Sequence, residues 1–234
     1  MLWRFSLWFR ALTTSFSYTP QIDFLNLKAT PCTFAAAMNL PNKLTLSRFV
    51  LTVAFLIVMF SRMSFHETIA LVLFVAAGIS DFLDGQIARR HKLITNFGIL
   101  MDPLADKIMV CSAFIAFIEL DWIRAWMVVI VVARELAITG LRLLAASKNV
   151  VLAAEGYGKH KTVSQIVAII SILVLHSYEQ WGPIGKAIFG FHLIGDVPWA
   201  AWFTAASKWV AVVLTFISGG LYLWRNRELY LQDL

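Results

Sequence analysis

Six apolar runs, near residues 44–60, 68–88, 97–118, 123–146, 162–181 and 198–224, restrict the fold of this 234-residue chain more than any other feature. A helix crosses the hydrocarbon of a bilayer with about 20 mainly apolar residues, so each run has the length of a transmembrane span. Only 15% of the residues are charged and 59% are hydrophobic. A soluble domain covers its surface with nearer to a quarter charged residues, so a water-soluble globule is excluded. The runs and their short connections leave no room for a separate soluble domain. The expected class is all-α, a polytopic integral membrane protein.

If the runs alternate in direction, one side of the membrane receives ten basic residues: Lys43, Arg48, Arg89, Arg90, Lys92, Lys148, Lys159, Lys161, Arg225 and Arg227. The other side receives Arg62, Arg124 and Lys186. This asymmetry places both chain ends in the cytosol and makes the number of spans even. The same basic edge attracts anionic lipid headgroups. Residues 1–37 differ from the rest, carrying Arg4, Arg10 and Lys28 against Asp23 with no uninterrupted apolar core before a cleavage site. They are expected to be a leader that is dispensable or not native, with the membrane domain spanning 38–234 from Met38. Cys32 and Cys111 are far apart and the five histidines are scattered, so neither residue type forms a disulfide framework or a recognisable metal motif.

The acids are distributed unevenly. Four of the fourteen, Asp81, Asp84, Asp102 and Asp106, fall within 26 residues. Each would oppose insertion by about 2.5–3.5 kcal/mol at mid-membrane, so something must compensate them. On a helix Asp81, Asp84, Gly85 and Ala88 form one stripe, and Gly98, Asp102 and Asp106 repeat the arrangement at four-residue spacing. The short basic segment between the two runs makes them antiparallel neighbours. Converging carboxylates beside residues with little or no side chain suit hard divalent cations with oxygen ligands. Ion pairing with Arg89, Arg90 and Lys107 would neutralise the charge but would not account for two matched acid-plus-glycine stripes.

In order, the residues are Asp81, Asp84-Gly85, Ala88-Arg89, Gly98, Asp102 and Asp106. This pattern resembles the signature of the CDP-alcohol phosphotransferase family, membrane enzymes of phospholipid synthesis, with every signature position filled. The resemblance implies six transmembrane helices, a homodimer and a polar cavity open to the cytosol at the inner face of the cell membrane. It implies two ions of Mg2+ or Mn2+ held by Asp81, Asp84 and Asp102, with Asp106 a further ligand or the general base. It assigns Gly85, Ala88, Arg89 and Gly98 to the CDP part of the lipid donor.

Further pieces, NLPNKLTLSR at 39–48, DPLADK at 102–107, ARELAITGLR at 133–142 and GKHKTVSQ at 158–165, are similar to family members that join CDP-diacylglycerol to glycerol 3-phosphate. A phosphorylated acceptor is anionic and needs cations of its own. Arg134 and Arg142 lie eight residues apart, a little over two helical turns, and Arg48, Lys159 and Lys161 complete the expected acceptor set. Arg134 has the adjacent Glu135 as an alternative partner. Two other readings stay open: the same fold with inositol phosphate, serine or phosphatidylglycerol as acceptor, and a divalent-cation transporter. The transporter reading is disfavoured because the acids lie towards run ends and have no counterpart in the second half of the chain. No nucleic-acid partner is expected.

Overall fold

The structure, a computed structural model, describes the backbone of residues 40–61, 63–91, 96–148, 157–227 and 229, and their side chains except at 40–45, 81–91, 96–106, 146–147, 157–159 and 193–194. The expected leader, 1–37, lies outside the described residues.

Each apolar run forms a helix, and most of the helices extend at one end or both into flanking polar residues; α4 starts two residues inside its run, and α5 gives way to a 3-10 turn before its run ends. They are α1 (Leu40–Met59), α2 (His66–His91), α3 (Asn96–Glu119), α4 (Ala125–Ser147) and α5 (Tyr157–Ser177). A 3-10 turn (Tyr178–Trp181), a short helix α6 (Gly182–Phe189) and a two-stranded hairpin, β1 (His192–Ile194) and β2 (Val197–Pro198), lead into α7 (Trp199–Arg225). The sequence did not announce α6 or the hairpin. Gly182, at φ 67°, allows the chain to turn out of the 3-10 segment, and Pro183 then sits in the first turn of α6, where its missing N–H costs nothing.

Side-chain pairings give the directions of the helices. Gln165 meets Thr215 and Ser171 meets Ser207, so α5 and α7 are antiparallel. Trp126 meets Trp209 and Arg142 meets Tyr222, so α4 and α7 run the same way. Helix α1 packs on both α2 and α3, and Thr52 Oγ1 on α1 lies 3.3 Å from Met109 Sδ on α3. Thr68 near the start of α2 meets Gln180 just past the end of α5, and the short links 60–65 and 120–124 turn α1 back into α2 and α3 back into α4, so the long helices alternate in direction and Leu40 and Arg225 lie at the same end of the bundle.

The two ends differ in chemistry. Phe55, Met59, Phe74, Phe114, Phe117, Met127, Val131, Ile169, Ile172 and Leu173 form the larger apolar core, at the end opposite Leu40 and Arg225. That end is also tied by polar contacts: Thr68 donates to Gln180 at 3.0 Å and accepts from the Trp181 indole at 3.0 Å, and Trp122 stacks on His176 at 3.8 Å. The outside of the bundle is apolar, with Ile57, Leu136 and Phe216 each 66% exposed, whereas Glu135 and Lys161 inside are 5% and 4% exposed. Water would reverse this arrangement; lipid favours it. Among the described residues, the helical stretches 160–189 and 199–225 are long and apolar enough to cross a membrane, with shorter apolar helices at 46–59 and 66–80.

Candidate active site

At the end of the bundle that holds Leu40 and Arg225, the interior carries charged side chains beside a smaller apolar cluster of Ile138, Leu141 and Tyr222. Glu135 on α4 is buried, and its carboxylate meets Arg134 Nη1 at 3.3 Å and forms an ion pair with Lys161 Nζ of α5. One turn further along α4, Thr139 Oγ1 donates to the Glu135 carbonyl at 2.7 Å and accepts a hydrogen bond from Lys107 Nζ of α3. Residues from three helices thus meet on one turn of α4. Such a network is tolerated in an apolar bundle because each charge has a partner.

Helix α7 supplies the opposite wall. The stem of Arg134 lies on Gly219, where an added Cβ would stand 2.6 Å from Arg134 Cγ. Three residues on, Tyr222 lies beneath Arg142, with the guanidinium 5.8 Å from the ring centre and Nε 3.5 Å from the hydroxyl. Arg134 and Arg142 therefore both face α7, as their eight-residue spacing suggests. Arg134 Nε is buried with no hydrogen-bond partner among the described residues.

The other expected acceptor residues are more dispersed. Arg48 is half-buried on α1, and its carbonyl accepts from Thr52 at 2.8 Å. Lys159 belongs to the first turn of α5, with its side chain outside the described residues. Sequence reasoning did not identify Glu135 as the residue that joins Arg134 to Lys161, nor Lys107, Thr139, Gly219 or Tyr222 as its surroundings. One signal was available: an acid in an apolar run requires a partner, and Glu135 is the only acid between 125 and 147.

The expected metal and donor residues occupy helical backbone throughout. Asp81, Asp84, Gly85, Ala88 and Arg89 belong to α2, and Gly98, Asp102 and Asp106 to α3, with their side chains outside the described residues. Among the described residues no three His, Cys, Asp or Glu side chains come together. The backbone supplies the condition that the acid stripes require, two helices unbroken through all four positions and both packed on α1. A donor set made only of carboxylate oxygens fits hard divalent ions rather than softer ones.

Helices with apolar outer faces, four aspartates in the sequence of α2 and α3, and a cationic cluster around Glu135 together point to a class of protein. The chain belongs to the CDP-alcohol phosphatidyltransferase family, whose model matches residues 38–217. It is similar to the CDP-diacylglycerol–glycerol-3-phosphate 3-phosphatidyltransferase of Bacillus subtilis (strain 168), at 39% identity over 202 residues covering 81% of this chain and 96% of that protein. Proteins of the same name from Rickettsia typhi and Cereibacter sphaeroides are 33% and 30% identical, covering 79% and 83% of this chain and 94% and 98% of their own lengths. The chain is a phosphatidyltransferase by family, and its apolar helices and that family point to a membrane protein.

Proposed function

We propose that this chain transfers the phosphatidyl group of CDP-diacylglycerol to glycerol 3-phosphate, giving phosphatidylglycerophosphate and CMP. The observation that carries the reading is the match to the Bacillus subtilis enzyme, which covers nearly all of that protein. The cationic cluster at Arg134, Lys161 and Arg142 supports it, since an acceptor that carries a phosphate needs such a cluster and an uncharged one does not.

In this reading residues 38–234 form one domain of six transmembrane helices, α1–α5 and α7, acting as a homodimer in the cell membrane. Both termini and a polar cavity face the cytosol. The ten-to-three split of basic residues and the shared end of Leu40 and Arg225 support that orientation. Asp81, Asp84, Asp102 and Asp106 would hold two Mg2+ or Mn2+ ions. Once bound, such ions would grip the pyrophosphate and offset charge on the attacking and leaving oxygens. Gly85, Ala88 and Gly98 give the CDP part a close approach to the backbone, and Arg89 pairs with its phosphate. Arg48, Arg134, Arg142, Lys159 and Lys161 hold the acceptor phosphate. Asp106 takes the proton of the attacking hydroxyl while the oxygen of that hydroxyl bonds to the lipid-proximal phosphorus; the bond to the CMP oxygen breaks and CMP leaves with the electron pair.

An acceptor panel tests this. Purified protein with CDP-diacylglycerol and Mg2+ is offered glycerol 3-phosphate, serine, inositol, inositol phosphate and phosphatidylglycerol, and CMP is measured. Release with glycerol 3-phosphate, abolished by a chelator and restored by Mg2+ or Mn2+, is expected. Release only with another acceptor refutes the assignment, and release that a chelator leaves unchanged refutes the metal site.

A further inference from the structure

We propose that Glu135 is a positioning residue for the acceptor site, its carboxylate holding Arg134 and Lys161 in one place so that together they grip the acceptor phosphate. The proposal rests on the functional reading above and adds to it a residue that touches neither substrate.

The geometry supports it in three ways. The carboxylate contacts both cations, one adjacent on α4 and the other on α5. The segment that carries it is fixed from a third helix, because Thr139 binds the Glu135 carbonyl and is itself held by Lys107 of α3. The trio of Arg134, Lys161 and Glu135 keeps a net positive charge, and the buried Arg134 Nε has no hydrogen-bond partner among the described residues. An anion arriving there meets two cations already oriented. Without the carboxylate, two buried like charges repel and separate, and the anion would have to reassemble them. Since Lys107 directly follows Asp106, the same turn of α4 also sets the acceptor cations against the helix of the expected base.

The test is a double-mutant cycle on the full-length enzyme in lipid–detergent micelles, with CMP release followed at varied glycerol 3-phosphate and then at varied CDP-diacylglycerol. Glu135→Gln and Lys161→Gln are each expected to raise the acceptor KM at least tenfold and to leave the donor KM within threefold. The double variant, which removes the carboxylate together with one of the two cations it holds and so leaves no like-charged pair to repel, is expected to be no worse than the worse single one. Glu135→Asp, which keeps the charge on a shorter arm, is expected to restore part of the acceptor affinity. An acceptor KM within twofold of wild type in Glu135→Gln overturns the proposal. So do single effects that multiply in the double variant, or a rise of both KM values together with a fall in kcat and melting temperature, which marks a purely structural role. If wild-type protein releases CMP only with a different acceptor, the functional reading is overturned instead, and the same cycle run with that acceptor decides the role of Glu135.

Discussion

Gly219 offers a way to move Arg134 without altering any charged residue. A Cβ at this position would stand 2.6 Å from Arg134 Cγ, with Arg134 Cβ at 3.6 Å and Cδ at 3.8 Å. Carbon atoms rest at about 3.5–4.0 Å, so Gly219→Ala forces a retreat of roughly 1 Å. The atom in the way is near the root of the side chain, which cannot swing aside as a flexible tip would. Either Arg134 changes rotamer and loses its 3.3 Å contact with Glu135, or α4 and α7 separate. Overpacking of this kind costs about 1–3 kcal/mol. If Arg134 holds the acceptor phosphate and absorbs that cost, the acceptor KM rises about 5–150-fold, since each 1.4 kcal/mol is worth roughly a factor of ten. The neighbouring Gly220 is the control, because a Cβ there meets nothing within 4 Å while the helix gains the same alanine. Steady-state CMP release should show a raised acceptor KM for Gly219→Ala, a donor KM within threefold, and wild-type values for Gly220→Ala. An acceptor KM in Gly219→Ala equal to that of Gly220→Ala would refute either the tight seating of Arg134 or its place in the acceptor site.

Two more predictions probe the ends of the bundle separately. Asp106→Asn should lower kcat by several orders of magnitude with the melting temperature held, as measured by CMP release and thermal denaturation; near-normal turnover would exclude Asp106 as base or essential ligand. Thr68→Val removes hydrogen bonds to Gln180 and from Trp181, and should lower stability by about 1–2 kcal/mol at about 1 kcal/mol per bond. Thr68 lies sixteen residues before Asp84 on α2, about 24 Å at 1.5 Å per residue, so both KM values should stay within twofold of wild type. A changed acceptor KM in Thr68→Val would show that the two ends are mechanically coupled.

The helices were legible because hydrocarbon sets a length, and six runs of that length are hard to mistake. Their ends were less so. Helix α5 begins at Tyr157 rather than at 162, and α1 at Leu40 rather than at 44, because hydropathy marks only the apolar stretch while a helix's backbone hydrogen bonds continue into flanking polar residues. Helix α6 was missed because eight residues are too few to register as a span, and Gly182-Pro183 reads as a simple break. In the candidate site, scarcity of charge made Asp81, Asp84, Asp102 and Asp106 conspicuous. The partner of Glu135 was another matter. Adjacency in sequence suggested Arg134, which the structure bears out, but the contact with Lys161 depends on how α4 and α5 pack, which no local spacing encodes.

The separation of the larger apolar core at one end from the charged cluster at the other has a practical consequence. Enzymes commonly trade stability against activity because the strained, polar groups that do chemistry sit within the packing that holds the fold. Here Phe55, Phe114, Phe117 and Ile172 lie in the opposite halves of the helices that carry Arg48, Lys107 and Lys161. Thermostabilising changes can therefore be sought in the apolar half with little risk to turnover, and hardening that half is the natural first step towards a longer-lived preparation of this enzyme in detergent.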